Sequence, residues 1–480
     1  MSTTAQPARV QRLAGRSVVV LAGSAAALFA ITTFIHRYEL VDLAAQHAAV
    51  RSWAGGGSLY AYRSADSGLG TTLPPVAALG LAPLAFLPLW TVGVLLGAVG
   101  VGSLVLALIA LVGPVARRYR RRHWPAVFAA AALALTLEPV RAAIGRGDLD
   151  LLAFGLITAD VVALRRGAWA RSRAAWWPGP PVPARAGPVR RGWATGAWAG
   201  AGTGLATALT VGPVLLLGYF AVTRQWRAAL TGLATVCALL GIAVLVAPRE
   251  VAAWAGDVLW RLDGVDHTGN QSLAGVLARL YDSATTPLLL WFSFALLVVA
   301  VGMIRARGAH ADGDEIAAFL LVGLTGAVVG PISDTHELVW VLLAILVLVD
   351  ASAHSLSAFR LPLLRLPLLR LPLLRRSWSC GWPFAALRRF SSNHNSKIAA
   401  KGRRGLAYAV GAALVYLLFV TAPMESFGGP LAANAYAIGL ILLLNAVPWR
   451  PGVAPAFPIN RWAKRSRRPQ TIPPARRPVP

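Results

Sequence analysis

The chain is short of charge, and shorter still of acid. Of its 480 residues only 14% are charged, against roughly a quarter in soluble proteins, and 19 acidic side chains face 46 basic ones. So thinly charged a chain cannot present a solvated surface all round, which excludes an ordinary soluble protein. Cysteine is scarce as well: Cys237 falls in an apolar run and Cys380 in a basic segment, so a disulfide-stapled scaffold is excluded. No close His/Cys spacing of the kind that holds zinc is present.

What is abundant is apolar surface, 56% of the residues. Runs at 17–35, 89–112, 229–246, 287–304 and 406–420 approach the ~20 apolar residues that cross a bilayer. Backbone groups in lipid must be paired within their own segment, so these runs are helices. The formal charge of +27 invites a nucleic-acid reading, and its distribution argues against one. Nearly all of it is arginine between or after apolar runs: Arg9 to Arg16, Arg117 to Arg122, Arg165 to Arg191, Arg305 and Arg307, Arg360 to Arg404, and the tail from Arg461. This is the positive-inside pattern, and it assigns those segments and both termini to the cytoplasmic side of a cell membrane.

Parity then orders the chain. Residues 17–35 exit, 89–113 return, 126–142 exit and 149–164 return. The stretch 194–222 is flanked by arginine at both ends and reads as a hairpin or re-entrant pair broken near Gly212 and Pro213. Residues 229–246 and 316–329 exit, 287–304 and 338–349 return, and 406–420 with 431–444 form a last pair. Residues 74–88, interrupted by four prolines, read as an interfacial helix. The expected fold is all-α: a polytopic membrane bundle of about 10–12 segments, with interfacial helices in its outer loops. The expected division is a cytoplasmic N-terminus at 1–16, a transmembrane core at 17–352, a basic loop with an RLPLL repeat at 353–404, a C-terminal pair at 405–448 and a basic tail at 449–480.

The few acidic and imidazole groups collect on the opposite, outer side. Loop one carries Asp42 and Tyr60; a second turn carries Arg146, Asp148 and Asp150; the long outer loop carries Arg261, His267, Asn270 and Gln271; the last carries Ser333, Asp334, His336 and Glu337. Carboxylates mixed with His and Arg suit acid/base work on an anionic substrate: one group removes a hydroxyl proton while cations stabilise a departing phosphate. Each residue also has a structural reading. Asp42 could cap a helix, Asn270 to Ser272 could form a turn, and Tyr60 could anchor at the interface.

The order of short motifs is more specific. Asp42-Leu43, then Gly57-Ser58-Leu59-Tyr60, Leu73-Pro74-Pro75, Gly145-Arg146-Gly147-Asp148, Gly204-Leu205-Ala206, Asn270-Gln271-Ser272-Leu273 and Gly330-Pro331-Ile332-Ser333 to His336 together resemble the family 87 glycosyltransferases. The resemblance implies a GT-C type fold with a non-cytoplasmic active site. It also implies transfer of a mannose-like sugar from a polyprenyl-phosphate donor to an envelope glycolipid or lipoglycan, by inverting displacement. By the same resemblance Asp42 is the general base and His336 a catalytic partner that holds the leaving phosphate. Tyr60, Arg146, Asp148, Arg261, Asn270, Gln271, Ser333 and Glu337 are candidates for substrate binding. Neither metal nor cofactor is expected, since cationic side chains neutralise the phosphate, and the partners are the two lipid substrates and the membrane, not nucleic acid. The chain departs from the family pattern in Thr210 where a lysine stands, Asp334 for a tryptophan and Glu337 for a second histidine. Two other classes remain open at this level: a lipid-linked saccharide transporter, and a catalytically inactive relative. A one-sided enzyme requires Asp42 to meet His336 and the outer arginines in space.

Overall fold

The structure, a computed structural model, describes residues 6–63, 70–119, 121–176, 187–260, 265–282, 286–363, 384–423 and 429–450. Arg261, most of the RLPLL repeat and the tail beyond residue 450 lie outside them. Among the described residues every named element is helical. The main helices are α1 (Gln6–Tyr38), α2 (Val41–Ala54), α3 (Pro75–Leu81), α4 (Leu89–Arg118), α5 (His123–Ala134), α6 (Glu138–Arg146), α7 (Asp150–Trp176), α8 (Pro188–Thr195), α9 (Ala201–Thr210), α10 (Val214–Val222), α11 (Trp226–Val246), α12 (Pro248–Gly256), α13 (Leu273–Leu280), α14 (Leu288–Ala311), α15 (Glu315–Val329), α16 (Trp340–Leu363), α17 (Phe384–Thr421) and α18 (Ala435–Ala446).

Among the described residues five helical stretches are long and apolar enough to cross a bilayer: Leu89–Arg118, Trp226–Val246, Leu288–Ala311, Thr335–Leu356 and Lys401–Thr421. A sixth arises if α5 and α6, bent by 72° against each other, count as one broken span. This corrects the picture of uniform crossings. The apolar run at 126–142 is interrupted because Glu138 and Pro139 open a new helix there, proline being at home in a first turn and not in an interior. The run at 194–222 breaks where expected, at Val211 to Pro213, and a second time at Gly196 to Gly200. The run at 431–444 is a four-residue turn followed by the 12-residue α18.

The core centres on α15. Its residues Ala317 to Leu321 have no exposed surface, and the helix is apolar all round, which is the pattern of a helix enclosed by others. Helices α10, α14, α16 and α18 pack about it. By contrast α11 and α14 carry Leu230, Leu233, Leu245, Leu289, Phe292 and Leu296 exposed, an apolar exterior suited to lipid. A second cluster joins α2 and α3 with Leu59, Tyr60 and Leu73, so the short helix after Pro74 is packed into the protein rather than laid on its surface.

Two carboxylates inside helical runs are spent on structure. Asp160 of α7 accepts from the amides of Gly202 (3.2 Å) and Thr203 (2.6 Å), capping α9 from a neighbouring helix. Glu138 accepts from the Tyr38 hydroxyl (2.6 Å) and pairs with Arg141 (2.7 Å), tying α1 to α6. With partners fixed on both, neither has the loose buried charge that a carrier pathway needs.

Candidate active site

Asp42 reaches its place through a strained corner. Glu39 and Leu40, between α1 and α2, both have positive φ (57° and 53°), a conformation that costs a side-chain-bearing residue roughly 1–2 kcal/mol. The Leu40 amide donates to the Gly145 carbonyl (3.1 Å), and the buried Leu40 side chain closes over Gly93, so packing holds the corner. Asp42 lies in the first turn of α2 and makes no capping bond there. Its carboxylate instead accepts from Arg146 (Nη1 to Oδ2, 3.3 Å).

Both glycines of Gly145-Arg146-Gly147-Asp148 are dictated by packing. A Cβ on Gly145 would sit 2.4 Å from the Tyr38 ring and 2.6 Å from the Phe34 carbonyl, so only glycine lets α1 approach α6 this closely. Gly147 ends α6 with φ +84°, and its Cβ would stand 2.7 Å from that of Leu43. The left-handed turn aims Arg146 and Asp148 at the same space, and Asp148 closes it by donating its amide to Ala143.

The third wall is the short 3-10 turn Thr335–Val339, entered from Asp334. His336 Nε2 lies 3.5 Å from Asp148 Oδ2 and 3.7 Å from Asp150 Oδ2, and Asp334 lies 4.0 Å from Arg146. One oxygen or nitrogen each of Asp42, Asp148 and His336 fall within 4.8 Å of one another. Residues separated by nearly 300 positions thus meet in one cluster, the proximity a one-sided enzyme requires of them. Asp42 and Arg146 remain about a third open to solvent, whereas His336 and Asp148 are close to nine-tenths buried.

Burial, reinforced by the nearby Asp42 charge, pushes the Asp148 carboxyl well above the usual carboxylate range. For Asp334 burial works in the same direction. The hydrogen bond from His267 (2.7 Å) and the charges of His336, His267 and Arg146 outweigh it and leave that carboxyl below its ordinary value. Two neighbouring carboxylates displaced in opposite directions make this cluster a candidate site.

Of the residues expected to bind substrate, Arg146, Asp148, Ser333 and Glu337 lie in or beside this pocket, Glu337 within the electrostatic reach of Asp148, Asp150 and Asp334. Three others have different work. Tyr60 is buried in the α2–α3 cluster and donates to the Leu73 carbonyl (2.8 Å). Asn270 has no exposed surface and uses all four of its hydrogen-bonding positions on backbone: Val265 and Pro331 carbonyls accept, Ser272 and Ser333 amides donate. Gln271 donates to Thr268 and Ala433 and accepts from the Ala437 amide. With its polar atoms so committed, Asn270 clamps the loop that carries Asp334 and His336 instead of touching substrate, and Gln271 ties the same turn to α18. Arg261 lies outside the described residues. Missing from the expected set were Asp150, His267 and Asp334. The signal for Asp334 was present, since it stands two residues before His336 at a position where the family pattern has tryptophan.

A family model for glycosyltransferase family 87 matches residues 72–331, a stretch that includes Arg146 and Asp148 and stops between Asp42 at one end and His336 at the other. Among curated proteins, the polyprenol-phosphate-mannose-dependent alpha-(1-2)-phosphatidylinositol mannoside mannosyltransferase of Mycobacterium tuberculosis (strain ATCC 25618 / H37Rv) is 29% identical over 350 residues, covering 68% of this chain and 74% of its own. The corresponding pentamannoside mannosyltransferase of Mycolicibacterium smegmatis is 28% identical over 381 residues, covering 75% and 82%. No solved structure gives a significant match.

Proposed function

The chain belongs to glycosyltransferase family 87, and from that premise we propose that it transfers a mannose-like sugar from a polyprenyl-phosphate donor to a phosphatidylinositol-mannoside-type glycolipid, on the extracytoplasmic side of the cell membrane. The sugar and the acceptor class are supported by the names of its relatives. The side of the membrane, with both termini cytoplasmic, rests on the arginine distribution.

The observation that carries the reading is the meeting of Asp42, Arg146 and His336. Asp42, partly open to solvent, takes the proton of the acceptor hydroxyl as that oxygen attacks the anomeric carbon. The glycosidic C–O bond to the carrier phosphate breaks on the opposite face, inverting the centre, and Arg146 and His336 stabilise the phosphate as its charge grows. Asp334 and His267 orient that wall of the pocket.

The test is transfer of radiolabelled mannose from polyprenyl-phosphate mannose to envelope glycolipids, in membranes containing wild type or Asp42→Asn. A nearly isosteric amide cannot act as base, so activity falls at least about 100-fold at equal protein level. Undiminished transfer by the variant removes Asp42 from that role.

A further inference from the structure

A second cavity lies away from the cluster around Asp42, roughly 20 Å along α16 from its His336 end. α16, α17 and the segment that follows α18 enclose about 400 Å³. Lys401, Arg404, Arg450 and His354 line it, with Tyr408 and Trp449 as aromatic walls. Spacings of three and four residues set Lys401, Arg404 and Tyr408 on one face of α17. Trp449 is fixed in place: its Nε1 donates to Asp312 (2.8 Å), and the Arg305 guanidinium lies 5.1 Å from its ring centroid.

The cavity has cations and no anion of its own. Among the described residues that line it there is no carboxylate, and those beside it are spent. Asp350 pairs with Arg118 (3.0 Å) and Arg450 and accepts from the Tyr119 hydroxyl (2.9 Å); Asp312 holds Trp449; Asp314 caps α15 and accepts the Arg450 amide (3.1 Å). Lys401 and Arg404 find no carboxylate partner among the described residues. Nor does the remaining sequence supply one. After Asp350 it carries a single acidic residue, Glu425, beyond the far end of the span Lys401–Thr421, against 19 lysines and arginines. The loop at 353–404 and the tail beyond 450 are both cationic, so like charge keeps them from filling the cavity. Its counter-ion comes from outside the chain.

Position decides which anion that is. α16 and α17 contribute the bilayer-crossing stretches Thr335–Leu356 and Lys401–Thr421, so His354 stands at the end of one and Lys401 and Arg404 at the start of the other. That is the level of lipid headgroups, on the side to which the arginine pattern points as cytoplasmic, and it is a boundary that tyrosine and tryptophan favour. α18, which leads into Pro448, exposes Ile438, Ile441 and Leu442, an apolar flank for acyl chains. Lysine and arginine grip phosphate through charge-assisted hydrogen bonds, and 400 Å³ is within the range of about 300–1,000 Å³ that small ligands occupy. We propose that this cavity binds the phosphate headgroup of one anionic phospholipid of the inner leaflet, with Lys401 and Arg404 as its charge partners. The lipid then ties α16 to α17 and to the Arg450 segment, which Asp314 already fixes to α15.

The experiment strips lipid from the full-length protein in detergent, titrates it with phosphatidylglycerol or phosphatidylcholine, and counts bound lipid by native mass spectrometry. One phosphatidylglycerol binds per chain, about tenfold or more tighter than phosphatidylcholine. Lys401→Gln and Arg404→Gln each weaken that first lipid about tenfold, whereas Arg403→Gln, an exposed neighbour outside the lining, leaves it unchanged. Equal affinity for the two lipids overturns the inference. So does an equal loss in all three variants, the mark of diffuse surface charge. Inorganic phosphate that displaces the lipid at comparable concentration makes a free anion the ligand and overturns the lipid assignment. A phosphatidylglycerol with a photoreactive headgroup needs no variant, so it decides even where the variants misfold: it labels wild type within 401–408 or 448–450, and labelling confined to other segments removes the site.

Discussion

Replacing Asn270 by alanine separates the two roles open to that residue. If Asn270 touched substrate, its loss would weaken substrate binding and leave the fold alone. The structure makes it a clamp, with donor bonds of 2.9 and 3.1 Å to Val265 and Pro331 and acceptor bonds of 3.1 and 2.9 Å from Ser272 and Ser333. Truncation strands two buried amides at roughly 1–3 kcal/mol each and leaves two carbonyls, which tolerate loss better, so the penalty is about 3–5 kcal/mol. At 1.4 kcal/mol per decade that is a shift of roughly 10²–10⁴ in the equilibrium between clamped and released loop. Asp334 and His336 ride on that loop, so the apparent Tm of the purified protein falls and transfer falls at least about tenfold. Asn270→Asp keeps both acceptor bonds and loses donors, and it falls between wild type and alanine in Tm. An Asn270→Ala protein with unchanged Tm and a raised KM alone would refute the clamp.

Gly147→Ala places a Cβ at φ +84° and 2.7 Å from Leu43, so it destabilises by at least about 1–2 kcal/mol and turns Arg146 and Asp148 away, whereas Gly218→Ala, with open space around it, is neutral; Tm and transfer of the two variants check this. Tyr60→Phe loses one buried hydrogen bond and costs about 1 kcal/mol in stability with no change in KM for either substrate, a result that a substrate contact would not give. The lowered Asp334 titration contributes stability present above the unfolded aspartate value of about 3.9 and lost as pH falls through the folded one. His267→Ala removes the main support of that lowering, so the fall of Tm with pH below about 4 becomes shallower. Asp148 has the opposite sign: its folded titration is raised, so stability declines as pH rises from the unfolded value towards the folded one. Asp148→Asn abolishes that decline.

The helical class and the long apolar spans are legible in the sequence because lipid leaves the backbone only one way to pair over such runs. α11 and α14 follow the runs at 229–246 and 287–304 closely. Where reading fails, the reason is enclosure. α15, with 15 residues, reaches only about 22 Å at 1.5 Å per residue, less than the ~30 Å hydrocarbon core, and other helices surround it. Hydropathy registers it as one more span because a helix buried in protein and one buried in lipid are equally apolar. The same ambiguity hides the 72° bend between α5 and α6, which composition signals only through Glu138 and Pro139.

The site was legible in its chemistry and less so in its division of labour. Asp42, Arg146, Asp148 and His336 stand out as charged groups in short outer loops, and the fold brings them together. Asn270, Gln271 and Tyr60 stand out for the same reason, yet they are polar because backbone turns near a site must be satisfied internally, not because they face a ligand. Only hydrogen-bond accounting separates the two kinds. Asn270 has no position left over, whereas the side chains of Asp148 and His336 face other charged side chains, Asp42 and Asp150 among them. Stability alone would favour spreading such like charges apart. That the strained corner at Glu39 and Leu40 and the two tight glycines at the end of α6 converge on this cluster argues that the fold bears their cost to hold these charged groups together.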